Sequence, residues 1–132
     1  MGYMDYKSEA RIEDMVGKVF TRVSGGVGDG ELVFENDTER FVFFHYQDCC
    51  ESVDINDIVG DLEDLVGEPL LIAEEVEGSV PADFEDKYTD SYTFTFYKFA
   101  TRRGYVDVRW LGESNGYYSE GVSLGRELVD KI

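Results

Sequence analysis

His45, Asp48, Cys49, Cys50 and Glu51 fall within seven positions of FHYQDCCESV (44 to 53), which holds the only histidine and both cysteines. Three chemistries use such residues: a metal centre, a Cys–His nucleophile and a disulfide. In an extended strand, side chains alternate between faces, so His45, Gln47 and Cys49 point one way and Tyr46, Asp48 and Cys50 the other. At roughly 3.3 Å per residue, His45 and Cys49 stand about 13 Å apart. Zinc–ligand bonds of about 2 Å do not span that gap unless the chain turns at Gln47-Asp48. Structural zinc also wants four ligands from separated pairs, and one His beside an adjacent Cys-Cys does not supply them. A disulfide between neighbours is geometrically awkward and disfavoured in a reducing compartment. Nothing local orients a Cys–His pair or forms an oxyanion pocket. We therefore expect no metal and no cofactor, with both thiols buried at a strand end. His45 and Asp48 remain as polar contacts.

RWLGESNGYYSE (109 to 120) is the second chemically rich segment. Arg109, Ser114, Asn115, Tyr117, Tyr118 and Glu120 combine a planar cation, amide and hydroxyl donors, and aromatic faces. That set suits a nucleotide-like small molecule, with Arg for phosphate, Asn for a base edge and Tyr for stacking. The competing reading makes Trp110 and one tyrosine core and Ser-Asn-Gly a hairpin turn. Two other patterns carry less. The run Asp54, Asp57, Asp61, Glu63, Asp64 lacks the glycine at the sixth position of a calcium loop, where Val59 stands. Gly26, Gly28 and Gly30 lack phosphate-loop spacing and sit between two expected strands.

Charge narrows the partners. The chain carries 29 acidic and 12 basic residues, a formal net charge of −17. Direct nucleic-acid binding and anionic membranes are excluded, because both need an excess of Lys and Arg. Such a surface keeps a protein soluble, or it mimics nucleic acid toward a basic protein. No apolar run long enough for a spanning helix or a signal peptide occurs, so the expectation is a cytoplasmic protein.

The elements that must position these residues follow from periodicity. Residues 1 to 11 read as a loose arm, and IEDMVG as one helical turn closed by Gly17. KVFTRVS, ELVFEN and FVFFHYQD read as three strands joined by turns at GGVGDG and NDTER. In DINDIVGDLEDLVG the apolar residues Ile55, Ile58, Val59, Leu62, Leu65 and Val66 recur at three and four, which predicts a helix. LLIAEEVE is the next strand, followed by an acidic loop (78 to 90). SYTFTFYKFAT (91 to 101), GYVDVRWLG (104 to 112) and YYSEGVSL (117 to 124) read as a three-strand meander, the first of them central. The expectation is one α+β domain spanning 1–132, a mostly antiparallel sheet of about six or seven strands with one short helix packed on it.

At QDCCESV, GDLEDLVGEPLL, SYTFTFYKFAT and GYVDVRWLGESNGYYSE the chain resembles a family of small phage and prophage proteins carrying a domain of unknown function. The resemblance covers roughly residues 12 to 122. It brings no catalytic residues to carry over, and implies a counter-defence factor or modulator of a host enzyme. Three functions follow as expectations. The first is a non-enzymatic sponge, in a form that allows a homo-oligomer, sequestering a nucleotide-derived signal. The second is an acidic nucleic-acid mimic that inhibits a basic host protein. The third is a small hydrolase relying on His45 or a perturbed carboxylate.

Overall fold

A computed structural model describes residues 8–82, 84 and 91–129. Among them lie nine strands: β1 (Ser8–Glu9), β2 (Arg22–Ser24), β3 (Leu32–Glu35), β4 (Glu39–Phe44), β5 (Ser52–Val59), β6 (Ile72–Val76), β7 (Ser91–Thr101), β8 (Gly104–Ser114) and β9 (Ser123–Leu128). They form two antiparallel sheets. The first runs β1-β9-β4-β3-β2 and the second β5-β8-β7-β6. Two short 3-10 turns, Ile12–Met15 and Leu62–Leu65, are the only helical elements among the described residues.

Rings join the sheets. Phe34 and Phe43 of the first sheet meet Phe99 and Tyr97 of the second, with ring centroids 4.9 Å apart for Phe34–Phe99 and for Phe43–Tyr97. Trp110, Phe20, Phe41, Leu32, Leu65 and Leu70 fill the rest of this shared core and are fully buried. Each such side chain contributes about 1.5–3 kcal/mol by leaving water. Alternation then dictates that Val106, Val108 and Trp110 point inward from β8, while Asp107, Arg109 and Leu111 point outward.

The α+β expectation is corrected here, because the predicted helix at 54–67 is absent. Residues 52–59 are the edge strand β5, paired with β8, and only Leu62–Leu65 turn helically. A β-bulge between Ile55 and Asp57 explains the misreading. Val53 and Ile55 face the core, and the extra residue Asn56 delays the next inward side chain to Ile58. A strand with one inserted residue thereby shows the three-residue spacing of a helix. Backbone bonds hold the bulge: Gly28 N–H donates to Ile55 O at 2.8 Å, and Ile55 N–H to Asp29 O at 2.9 Å. The glycine-rich hairpin loop of the first sheet thus stitches onto the edge of the second.

Other expectations shift at the ends. The part of the supposed loose arm that is described includes β1, paired with β9, and residues 1–7 lie outside the described residues. The third member of the meander does not join its neighbours. After β8 the chain crosses between sheets, and β9 pairs with β4 through Glu39↔Leu128 to Phe44↔Ser123. The turn at Ile12–Met15, the strands β3, β6, β7 and β8, and the two hairpin turns stand as read. No described helix is long and apolar enough to cross a membrane.

Candidate functional site

The residues expected to form one ligand site separate onto two faces. Ser114 and Glu120 sit on the inward side at the end of the second sheet, and both are buried. Arg109 faces outward from the middle of β8. Asn115 spends its side-chain oxygen on the turn itself, accepting Tyr117 N–H at 2.9 Å. Tyr117 is 83% exposed, and Tyr118 stacks edge-on against it rather than against an open pocket. Trp110 is core, with its indole N–H unpartnered among the described residues.

The inward group is a closed polar junction. Glu120 accepts Thr93 Oγ at 2.7 Å and Ser114 Oγ at 2.5 Å. Its backbone lies directly over Gly112, where any Cβ would collide with it. The neighbouring Gly121 carbonyl lies 2.8 Å from His45 Nδ1, and His45 Nε2 lies 2.7 Å from Glu51 Oε2. Both ring nitrogens are thus engaged, one by a backbone carbonyl and one by a carboxylate. Burial pushes the Glu51 carboxyl up, but N–H groups of Cys49 and Asp48 together with His45 outweigh it and hold the group at about 2. Burial likewise raises Glu120, and its hydroxyl donors bring the net shift below the ordinary value.

This junction corrects the first segment's geometry. β4 stops at Phe44 and the chain turns over residues 45–51 because Glu51 collects the N–H groups of Asp48 (2.8 Å) and Cys49 (2.9 Å). Gln47 adds a bond to Glu51 O at 2.6 Å. Asp48 keeps its side chain exposed and contributes only its backbone. The cysteines are neither buried nor free: both are exposed and joined to each other as a disulfide. No group of three or more His, Cys, Asp or Glu among the described residues is arranged to hold a metal ion.

The outward face of the second sheet holds the open site. A cleft of about 410 Å³ crosses its strands, lined by Asp57, Val59, Glu74, Val76, Glu77, Phe96, Lys98, Asp107 and Arg109 among others. Register places two rows across it. One row runs Val76, Phe96, Arg109, Asp57, and the next runs Glu74, Lys98, Asp107, Val59. The bulge re-aims Asn56 so that its Oδ1 accepts Arg109 Nε at 2.7 Å. Asp57 stands 3.9 Å from the same guanidinium, which lies 5.7 Å from the Phe94 ring centre. Lys98 leans the other way, over the Tyr105 ring at 5.7 Å. Both cations are drawn to the flanks, and Glu74, Glu77 and Asp107 make no ion pair among the described residues.

The chain after β6 closes one side. Gly78 lies so near the Phe96 ring that a Cβ there would come within 2.8 Å of it. Phe84 packs on Tyr92 and Phe94 at 4.8 and 5.0 Å. The rest of the acidic 83–90 cluster lies outside the described residues. Sequence reading located Arg109 but missed Asn56, Asp57, Glu74, Glu77 and Asp107 as its company. Asp107 was readable, since it shares the outward face of VDVRW with Arg109. Asn56 was not, because only pairing reveals a bulge.

Neither the curated proteins nor the solved structures contain a match to this chain. A family profile described as a domain of unknown function (DUF7448) matches residues 13–124, and the chain belongs to that family.

Proposed function

We propose that this protein is a non-enzymatic binding module that docks a basic protein through the acidic outer face of its second sheet. One observation carries the reading: four carboxylates, Asp57, Glu74, Glu77 and Asp107, line an open cleft that holds two cations, Lys98 and Arg109. An excess of charge of one sign in a cleft focuses the field and speeds encounter with a partner of the other sign. The overall charge of −17 acts in the same direction over longer range. Nucleotide sequestration is less well supported. Arg109 is already engaged by Asn56 and Asp57, and the surrounding carboxylates repel phosphate. Hydrolysis through His45 is disfavoured because both ring nitrogens are engaged.

The test is competition. An arginine-rich peptide prebound to a DNA duplex is titrated with the protein at low and high salt, while ADP and cyclic nucleotides are titrated by calorimetry. We expect the protein to release the DNA at low salt, to lose that ability as salt screens the charges, and to give no heat with nucleotides. Nucleotide binding without peptide binding would replace this reading with sequestration.

A further inference from the structure

We propose that Cys49 and Cys50 are a redox site: an external dithiol opens their disulfide, and an oxidant closes it again, while the protein stays folded. The state of the pair is felt at the crossover between the two sheets. The two sulfurs are bonded to each other. They belong to the only cysteines of the chain, so no other thiol within it competes for either one. Both residues are exposed, in the run 46–50 whose members all face solvent.

A structural role explains this bond poorly. A disulfide stabilises a fold chiefly by closing a loop of the unfolded chain, and the gain shrinks with the loop. Joining neighbouring residues closes almost none. The core that the two sheets share contains neither cysteine. What the bond does have is accessibility, and exposed disulfides are the ones that exchange.

The exchange balances with the dithiol as its sole co-reactant. A thiolate of the reagent attacks one of the two sulfurs, the S–S bond breaks, and the other cysteine leaves as a thiolate that takes up a proton. The second thiol of the reagent then attacks the mixed disulfide, frees the first cysteine and closes the reagent as its own disulfide. The protein has gained a pair of electrons and a pair of protons. A diazene oxidant such as diamide removes them again and becomes a hydrazine.

Hydrogen bonds carry the change inward. Cys49 N–H donates to Glu51 Oε1 at 2.9 Å, and Gln47 Nε2 donates to Cys49 O at 3.3 Å and to Glu51 O at 2.6 Å. Glu51 is buried and lies 2.7 Å from His45 Nε2, and Nδ1 of the same ring lies 2.8 Å from Gly121 O. Gly121 follows Glu120, the buried acceptor of Thr93 and Ser114. Glu51 and His45 alone therefore separate the cysteine backbone from the segment that links β8 to β9. Opening the disulfide frees the torsions of Cys49 and Cys50, and the Cys49 N–H bond to Glu51 is the first contact to respond.

The test uses the intact chain and the neutral dithiol dithiothreitol, since a formal charge of −17 slows anionic thiols. Iodoacetamide labelling read by mass counts the accessible thiols, and proton–nitrogen NMR follows the Glu51 and Gly121 amides. We expect no labelled cysteine before reduction and both labelled after it, at a rate within about tenfold of that in the urea-unfolded chain. Diamide should restore the unlabelled monomer. The Glu51 and Gly121 amides should shift on reduction, while near-UV circular dichroism stays that of the folded protein. The double variant Cys49→Ser/Cys50→Ser, altered only at exposed positions, should give one spectrum with either reagent.

Thiols that diamide joins only between chains would overturn the redox site. So would a native bond that opens about a hundredfold more slowly than the unfolded one. Cycling that leaves the Gly121 amide unmoved would overturn the link to the crossover. Loss of the aromatic dichroism on reduction would overturn exchange within the folded state and make the bond structural.

Discussion

Two regions of this protein are built from the same residue types and end in opposite states. At the sandwich end, Glu51 and Glu120 are buried, and hydrogen bonds to both hold their carboxyls below the ordinary value. On the outer face of the second sheet, Glu74, Glu77 and Asp107 line open space and make no ion pair among the described residues. The junction lies where the chain crosses between sheets, so an unsatisfied carboxylate there would face the core. The cleft lies where water supplies what the protein does not. Saturation by hydrogen bonds marks a carboxylate working for the fold, and exposure to water marks one the fold does not depend on.

Acid should break the comparison most strongly. Glu51, Glu120 and Glu39 all have lowered folded values, so the stability they add is complete above the ordinary carboxylate range and is lost as pH falls through their folded values. For Glu51 that window runs from 4.5 down to about 2. Urea midpoints measured at about pH 6 and about pH 3 should show a marked loss, and Glu51→Gln should flatten the dependence. A midpoint indifferent to acid would mean the junction carboxylates do not hold the fold.

A single substitution tests the same side more narrowly. Glu120→Ala removes the carboxylate that accepts from both Thr93 and Ser114 and should destabilise the protein by about 2–3 kcal/mol in equilibrium unfolding. The smallest effect belongs to the cleft. Asp107→Asn should change stability by no more than about 0.5 kcal/mol, because no described cation loses a partner. A destabilisation there comparable to that of Glu120→Ala would erase the distinction between the two regions.

Legibility in the sequence follows the same division. β7 spans Ser91–Thr101, the same residues read from its β-branched and aromatic run, and β8 was nearly complete from its alternation. Both are long and pair with a neighbour in continuous register, so local pattern and tertiary environment agree. β5 was misread because one residue, Asn56, interrupts its alternation. Without it, Val53, Asp54, Ile55, Asp57, Ile58 and Val59 would alternate as an ordinary strand. β9 was misplaced because hydrophobic pattern reports which face is buried, not which sheet a strand joins. Of the candidate site, Arg109 was legible by type and face. Its separation from Ser114 follows only once β8 is seen to run on to Ser114, since odd and even positions of one strand cannot share a face.

The sequence by itself determined the antiparallel core strands and the excess of acidic residues, because each depends on residue type and local period. Only the tertiary structure decided that Glu51 would turn that segment on itself, that His45 would span from Glu51 to Gly121, and that Asn56 would orient Arg109. Those contacts join residues as far apart as 76 positions in the chain. A local pattern holds no record of which distant carbonyl or carboxylate will arrive at a given nitrogen.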